Sequence, residues 1–101
     1  MSVDRHATSF NPIYGSGGTI SYTGTAGNSG NLPQGIAGVY VTCSTDAWAR
    51  LGIAPTAVTS DFFCPAGTPV FVPAMDYTGG PLQLSVVRDA ASGSARYSPV
   101  T

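Results

Sequence analysis

From residue 36 onward the chain breaks into short runs of β-branched and aromatic residues, each closed by a turn signal, and this rhythm constrains the fold more than any other feature. The runs are IAGVYVTC (36–43), AWARLGI (47–53), SDFFC (60–64), TPVFVP (68–73), PLQLSVV (81–87) and SARYSPV (94–100). Val39, Val41 and Cys43 fall on one phase and Tyr40, Thr42 and Ser44 on the other, while Leu82, Leu84 and Val86 alternate with Gln83, Ser85 and Val87. That period of two is the mark of a half-buried sheet. Between the runs, Ser44-Thr45-Asp46, Pro65-Ala66-Gly67, Asp76-Tyr77-Thr78-Gly79-Gly80 and Asp89-Ala90-Ala91-Ser92-Gly93 supply Asx-type hydrogen bonds and glycines able to adopt positive φ. No sustained helical stripe occurs. TDAWARLG has a cap in Thr45 or Asp46, but Leu51-Gly52-Ile53 and the proline that follows favour a strand. The expected fold is all-β, a small antiparallel β-sandwich of jelly-roll-like type.

The chain changes character near Leu32-Pro33. SFNPIYGSGGTISYTGTAGNSGN, before it, is rich in Gly, Ser, Thr and Asn, and only TISYT (19–23) has the composition of a strand. Residues 1–31 therefore read as an extended N-terminal arm and residues 32–101 as the sandwich domain. Fully extended, an arm of this length reaches on the order of 100 Å, well past the domain it precedes. It is expected to dock on a neighbour, with Phe10, Ile13, Tyr14 and Tyr22 as anchors.

A chain of 101 residues makes one domain, and such a domain withdraws only about 60–65% of its unfolded surface from water. Only 9% of the residues are charged, with no lysine and no glutamate, against about 25% in an average globular protein. A surface so poor in charge suits a protein covered by partners. The four arginines are scattered among five aspartates, which argues against a nucleic-acid footprint built on clustered cations. No apolar run approaches the roughly 18–20 residues of a membrane span. Two cysteines are too few for a disulfide-framed secreted module, and Met1-Ser2-Val3-Asp4 lacks a basic n-region, so synthesis in a reducing cytoplasm is expected.

Residues for chemistry are scarce. A nucleophilic thiol needs a base or cation beside it, and the single histidine, His6, lies in the arm, far in sequence from Cys43 and Cys64. A zinc site would need further ligands from the aspartates. A Cys43–Cys64 disulfide would close a loop of roughly 20 residues, worth about 3 kcal/mol, but requires an oxidising compartment. Both cysteines read instead as small buried residues ending strands. Asp46, Asp61, Asp76 and Asp89 each sit beside turn residues rather than as a convergent acid pair, and no DxDxDG calcium spacing is present. GSGG and GTAGNSG neither follow a strand nor open a helix, as a phosphate loop must. Trp48, Phe62, Phe63 and Phe71 are assigned to the core; exposure of Trp48 together with a tyrosine would instead indicate a small carbohydrate-binding module. No catalytic residue, cofactor or metal is expected.

From Ile36 onward the order of motifs resembles a family of small tailed-bacteriophage virion proteins encoded among capsid and tail genes. The matching features are VYVTCSTDAW, ARLGIAPTAVTSD, the FFCPAGTPVFV corner, and LSVVRDAASGSARYS with its Ala-Ser-Gly hairpin. The resemblance covers about two thirds of the chain and leaves the arm outside it. It implies a β-sandwich without catalysis that serves as a structural part of the particle, most simply a capsid decoration or cement protein. Its partners would then be the major capsid protein, neighbouring virion proteins and further copies of itself, with assembly in the bacterial cytoplasm. A head-tail connector or tail component is the alternative within that class.

Overall fold

The computed structural model describes residues 11–74 and 81–101. It contains eight strands and, among those residues, no helix: β1 Gly18–Tyr22, β2 Gly27–Asn28, β3 Gly38–Cys43, β4 Ala47–Gly52, β5 Phe62–Cys64, β6 Val70–Pro73, β7 Gln83–Arg88 and β8 Gly93–Val100. They form two four-stranded antiparallel sheets, ordered β1-β8-β3-β6 and β2-β7-β4-β5.

The topology follows from one long hairpin. β4 pairs with β5, β3 with β6, β2 with β7 and β1 with β8, as the successive rungs of a folded ribbon. Rolling that ribbon brings β3 beside β8 and β4 beside β7, which completes the two sheets. The result is a jelly roll. Among the described strands only β4 and β5 are joined as sheet neighbours; the other connections cross from one sheet to the other. The expected Ala-Ser-Gly hairpin is therefore a crossing, as is the Pro-Ala-Gly corner. The Pro65-Ala66-Gly67 corner, with Gly67 at φ +73°, carries the chain from β5 to β6 in the opposite sheet. The Ala-Ser-Gly turn likewise leads from β7 to β8, because β8 finds its partners in β1 and β3.

The core lies between the sheets and is made of small aliphatic residues. Val39 and Val41 of β3, Ala47, Ala49 and Leu51 of β4, Leu84 and Val86 of β7, and Ile20 of β1 are all buried in one cluster. The largest fully buried side chain is Tyr22. A loop from Ile53 to Asp61 folds back over the outer face of the second sheet. There the Ala57 N–H donates to Ser85 Oγ at 2.9 Å and Asn28 Nδ2 donates to the Pro55 carbonyl at 2.8 Å. This explains a buried serine on an outward strand position, since its hydroxyl is satisfied by the covering loop.

The expected division at residue 31 is corrected. Gly18–Tyr22 pairs residue for residue with Gly93–Tyr97, and Ile20 and Tyr22 contribute to the core of their own chain. Ahead of β1, Asn11 and Thr101 exchange two backbone hydrogen bonds at 3.0 and 2.9 Å, and the Ile13 N–H donates to the Pro99 carbonyl at 3.2 Å. The physical reason is the open side of β8, whose backbone groups need a partner that the Thr19-Ile20-Ser21-Tyr22 strand supplies. Part of the glycine content serves the same structure. A Cβ at Gly27 would collide with the Ser21 carbonyl oxygen, so the crossing from β1 to β2 requires a residue without one.

Candidate assembly surface

The structure separates the four expected anchors. Tyr22 is 1% exposed, inside the sandwich, where its hydroxyl donates to the Thr45 carbonyl at 2.9 Å and accepts from the Thr45 N–H at 3.2 Å. Ile13 is half-buried beside the end of β8. Tyr14 is 90% exposed. Phe10 lies outside the described residues. Only Tyr14 of these is presented outward, and Tyr22 acts within its own chain.

The aromatics assigned to the core are mostly not there, a correction with a simple geometric cause. In β4 the small residues Ala47 and Ala49 and then Leu51 point inward, which turns Trp48 and Arg50 outward. Trp48 pairs with Phe63 of β5, and their rings meet at 4.9 Å on the outer face of the second sheet. Trp48 is held further by its indole N–H, which donates to Asp89 Oδ1 at 3.0 Å. On the first sheet Tyr40 pairs with Phe71, centroids 5.0 Å apart, also on the outer face. Phe62 sits at the margin, 44% exposed. The signal was present in the sequence: Arg50 shares the phase of Trp48, and an arginine in a strand marks the solvent side.

These residues lie on strands at one edge of the roll, Trp48-Phe63 facing out from one sheet and Tyr40-Phe71 from the other. β5 and β6 are the outermost strands of their sheets on that side, and β3 and β4 stand next to them. A cleft of about 360 Å³ runs along the margin, lined by Ala49, Arg50, Leu51, Phe62, Val72 and Pro73 among others. At the opposite side, β1 and β2 carry Thr19, Ser21, Gly27 and Asn28.

The ion pair at the cleft is well formed. Arg50 Nη2 lies 2.7 Å from Asp61 Oδ1, and Asp61 Oδ2 accepts the Val58 N–H at 2.8 Å. Burial pushes the Asp61 carboxyl up, but the hydrogen bond and charge of Arg50 and the Val58 N–H outweigh it and hold it below the usual carboxylate value. A depressed folded-state value means that the contribution is complete above the ordinary carboxylate range and is lost as pH falls through the folded value. Urea midpoints measured from about pH 5 down to 2 should decline, and Asp61→Asn should flatten that decline while costing about 1 kcal/mol at neutral pH. An unchanged acid slope in the variant would exclude Asp61 as its source.

Asp46 and Asp89 have structural work as well. Asp46 Oδ1 accepts the Ala66 N–H at 2.8 Å, which fastens the Pro65-Ala66-Gly67 corner to the start of β4. Cys43 and Cys64 are buried, free thiols in contact. The Cys64 thiol donates to the Phe62 carbonyl at 3.7 Å, and the neighbouring Cys64 holds the Cys43 thiol below its usual value against the opposing effect of burial, with help from the Tyr22 hydroxyl. Its neighbour Cys43, together with burial, pushes Cys64 up. His6, Asp4 and Asp76 lie outside the described residues. Among those described, no group of three or more His, Cys, Asp or Glu side chains is placed to hold a metal ion.

In comparisons with known proteins, this chain matches no family model, no curated protein and no solved structure.

Proposed function

We propose that this chain is a non-enzymatic structural protein of a tailed-bacteriophage virion, a decoration or cement subunit that binds the head shell and bridges its neighbours. The observation that carries the reading is the outward placement of aromatic residues on both sheets. Trp48-Phe63 with Phe62 stand on the outer face of one sheet and Tyr40-Phe71 on the outer face of the other, in a jelly roll whose sequence is only 9% charged. Outward aromatic residues are enriched where one protein buries surface against another. The order of the VYVTCSTDAW, PAGTP and ASG motifs supports the same reading. The segment ahead of Asn11, containing Phe10, joins the roll beside Thr101, close to the exposed Tyr14. In this reading Phe10 contacts a neighbour, and repeated copies on a symmetric shell allow weak contacts to add.

The test is co-sedimentation of the purified chain with heads of its phage prepared without it. Recovery in numbers comparable to capsomers supports decoration; recovery of about a dozen copies at one vertex moves the reading to a head-tail connector. Phe63→Ser and Tyr40→Ser should each weaken recovery by tenfold or more while shifting Tm by only a few degrees. Binding to glycans and not to heads would replace the reading with a carbohydrate-binding module.

A further inference from the structure

The two cysteines come from opposite sheets. Cys43 ends β3, paired with Ala95, and Cys64 ends β5, paired with Ala47. Both belong to the same buried cluster, so their side chains meet in the space between the sheets. The corner after Cys64 fixes this approach. The Gly67 N–H donates to the Cys43 carbonyl at 2.8 Å, and Ala66 forms an isolated parallel bridge with Cys43.

We infer that Cys43 and Cys64 are a redox-closable staple, a modification site at which a low-molecular-weight disulfide oxidises the pair to an intramolecular cross-link between the sheets. The chemistry balances in two exchanges. The Cys43 thiolate attacks one sulfur of the small disulfide, forming a mixed disulfide and releasing one small thiolate. The Cys64 thiol then gives its proton to solvent and attacks the Cys43 sulfur, which breaks the mixed bond and releases the second small thiolate. The protein loses two electrons, and the small disulfide gains them.

Cys43 is the first to react because its thiol is the one favoured toward ionisation. Both thiols are buried, so the exchange takes place when β5, a three-residue edge strand, opens. Closure ties β5 directly to the neighbouring sheet. The inference stands apart from the virion reading, since it rests on the sandwich alone.

The experiment uses the full chain, incubated at neutral pH with oxidised glutathione, quenched by alkylation and weighed intact. The expected product has lost two hydrogens, carries neither glutathione nor alkyl groups, melts higher by roughly 10 °C, and reverts with dithiothreitol. Cys64→Ser is expected to retain one glutathione on Cys43, and Cys43→Ser to stay largely unmodified. Two alkylated thiols after a treatment that closes the urea-unfolded chain would overturn the inference. So would covalent dimers, a closed form that melts lower, or an unmodified Cys64→Ser variant.

Discussion

Deletion of residues 1–31 is expected to abolish the cooperative unfolding transition, whereas deletion of residues 1–10 is expected to leave a folded sandwich with a melting temperature near that of the intact chain. The longer deletion removes β1 and β2, Ile20 and Tyr22 from the core, and the Ser29 hydroxyl that accepts the Leu84 N–H at 2.9 Å. Losing a buried isoleucine costs about 2–5 kcal/mol and losing a buried aromatic about 3–5, against a total stability of roughly 5–10 for a domain of this size. It also opens β7 and β8 along a full edge. The shorter deletion spares the Asn11–Thr101 pair and every described ladder. Circular dichroism on heating distinguishes the cases. A sharp transition in the longer truncation would show that β1 is dispensable. If Phe10 bridges neighbours, the shorter one stays folded and loses recovery on heads.

The second large effect belongs to Tyr22. Tyr22→Ala empties the largest fully buried side-chain site, at a cost of about 3–5 kcal/mol, which corresponds to a fall in Tm of 12 °C or more. Tyr22→Phe keeps the ring but leaves the Thr45 carbonyl and N–H without the hydroxyl, costing about 1–2 kcal/mol. Equal, negligible losses in both variants would mean that the side chain serves an external partner instead. Heat-denaturation scans of both proteins are sufficient.

The contrast with the sequence reading is instructive at particular residues. The strands after residue 36 were legible because small aliphatic residues alternate and turn residues punctuate them; each expected run overlaps an observed strand. TISYT was legible too, but its setting in glycine and serine concealed that it fills the edge beside β8, a pairing set by residues some way off in sequence. β2 was invisible: Gly27-Asn28 carries no strand propensity, and its ladder to Val86 and Ser85 is dictated by β7. The outward aromatics were misassigned because size suggested burial. In β4 phase decides, and the alanines occupy the inside.

One consequence lies in the rolled order of the strands. β8 stands between β1 and β3, and β7 between β2 and β4, so neither sheet has its middle until residues 83–100 are available. Gly18 must find Tyr97, and Gly38 must find Val100. Such distant pairings place folding in the slow range, milliseconds to seconds, and during synthesis β3 and β4 wait with apolar faces uncovered. A chain with so few charges has little to keep copies apart in that interval. Lower temperature and slower expression should therefore raise the soluble yield more than any change to the finished surface.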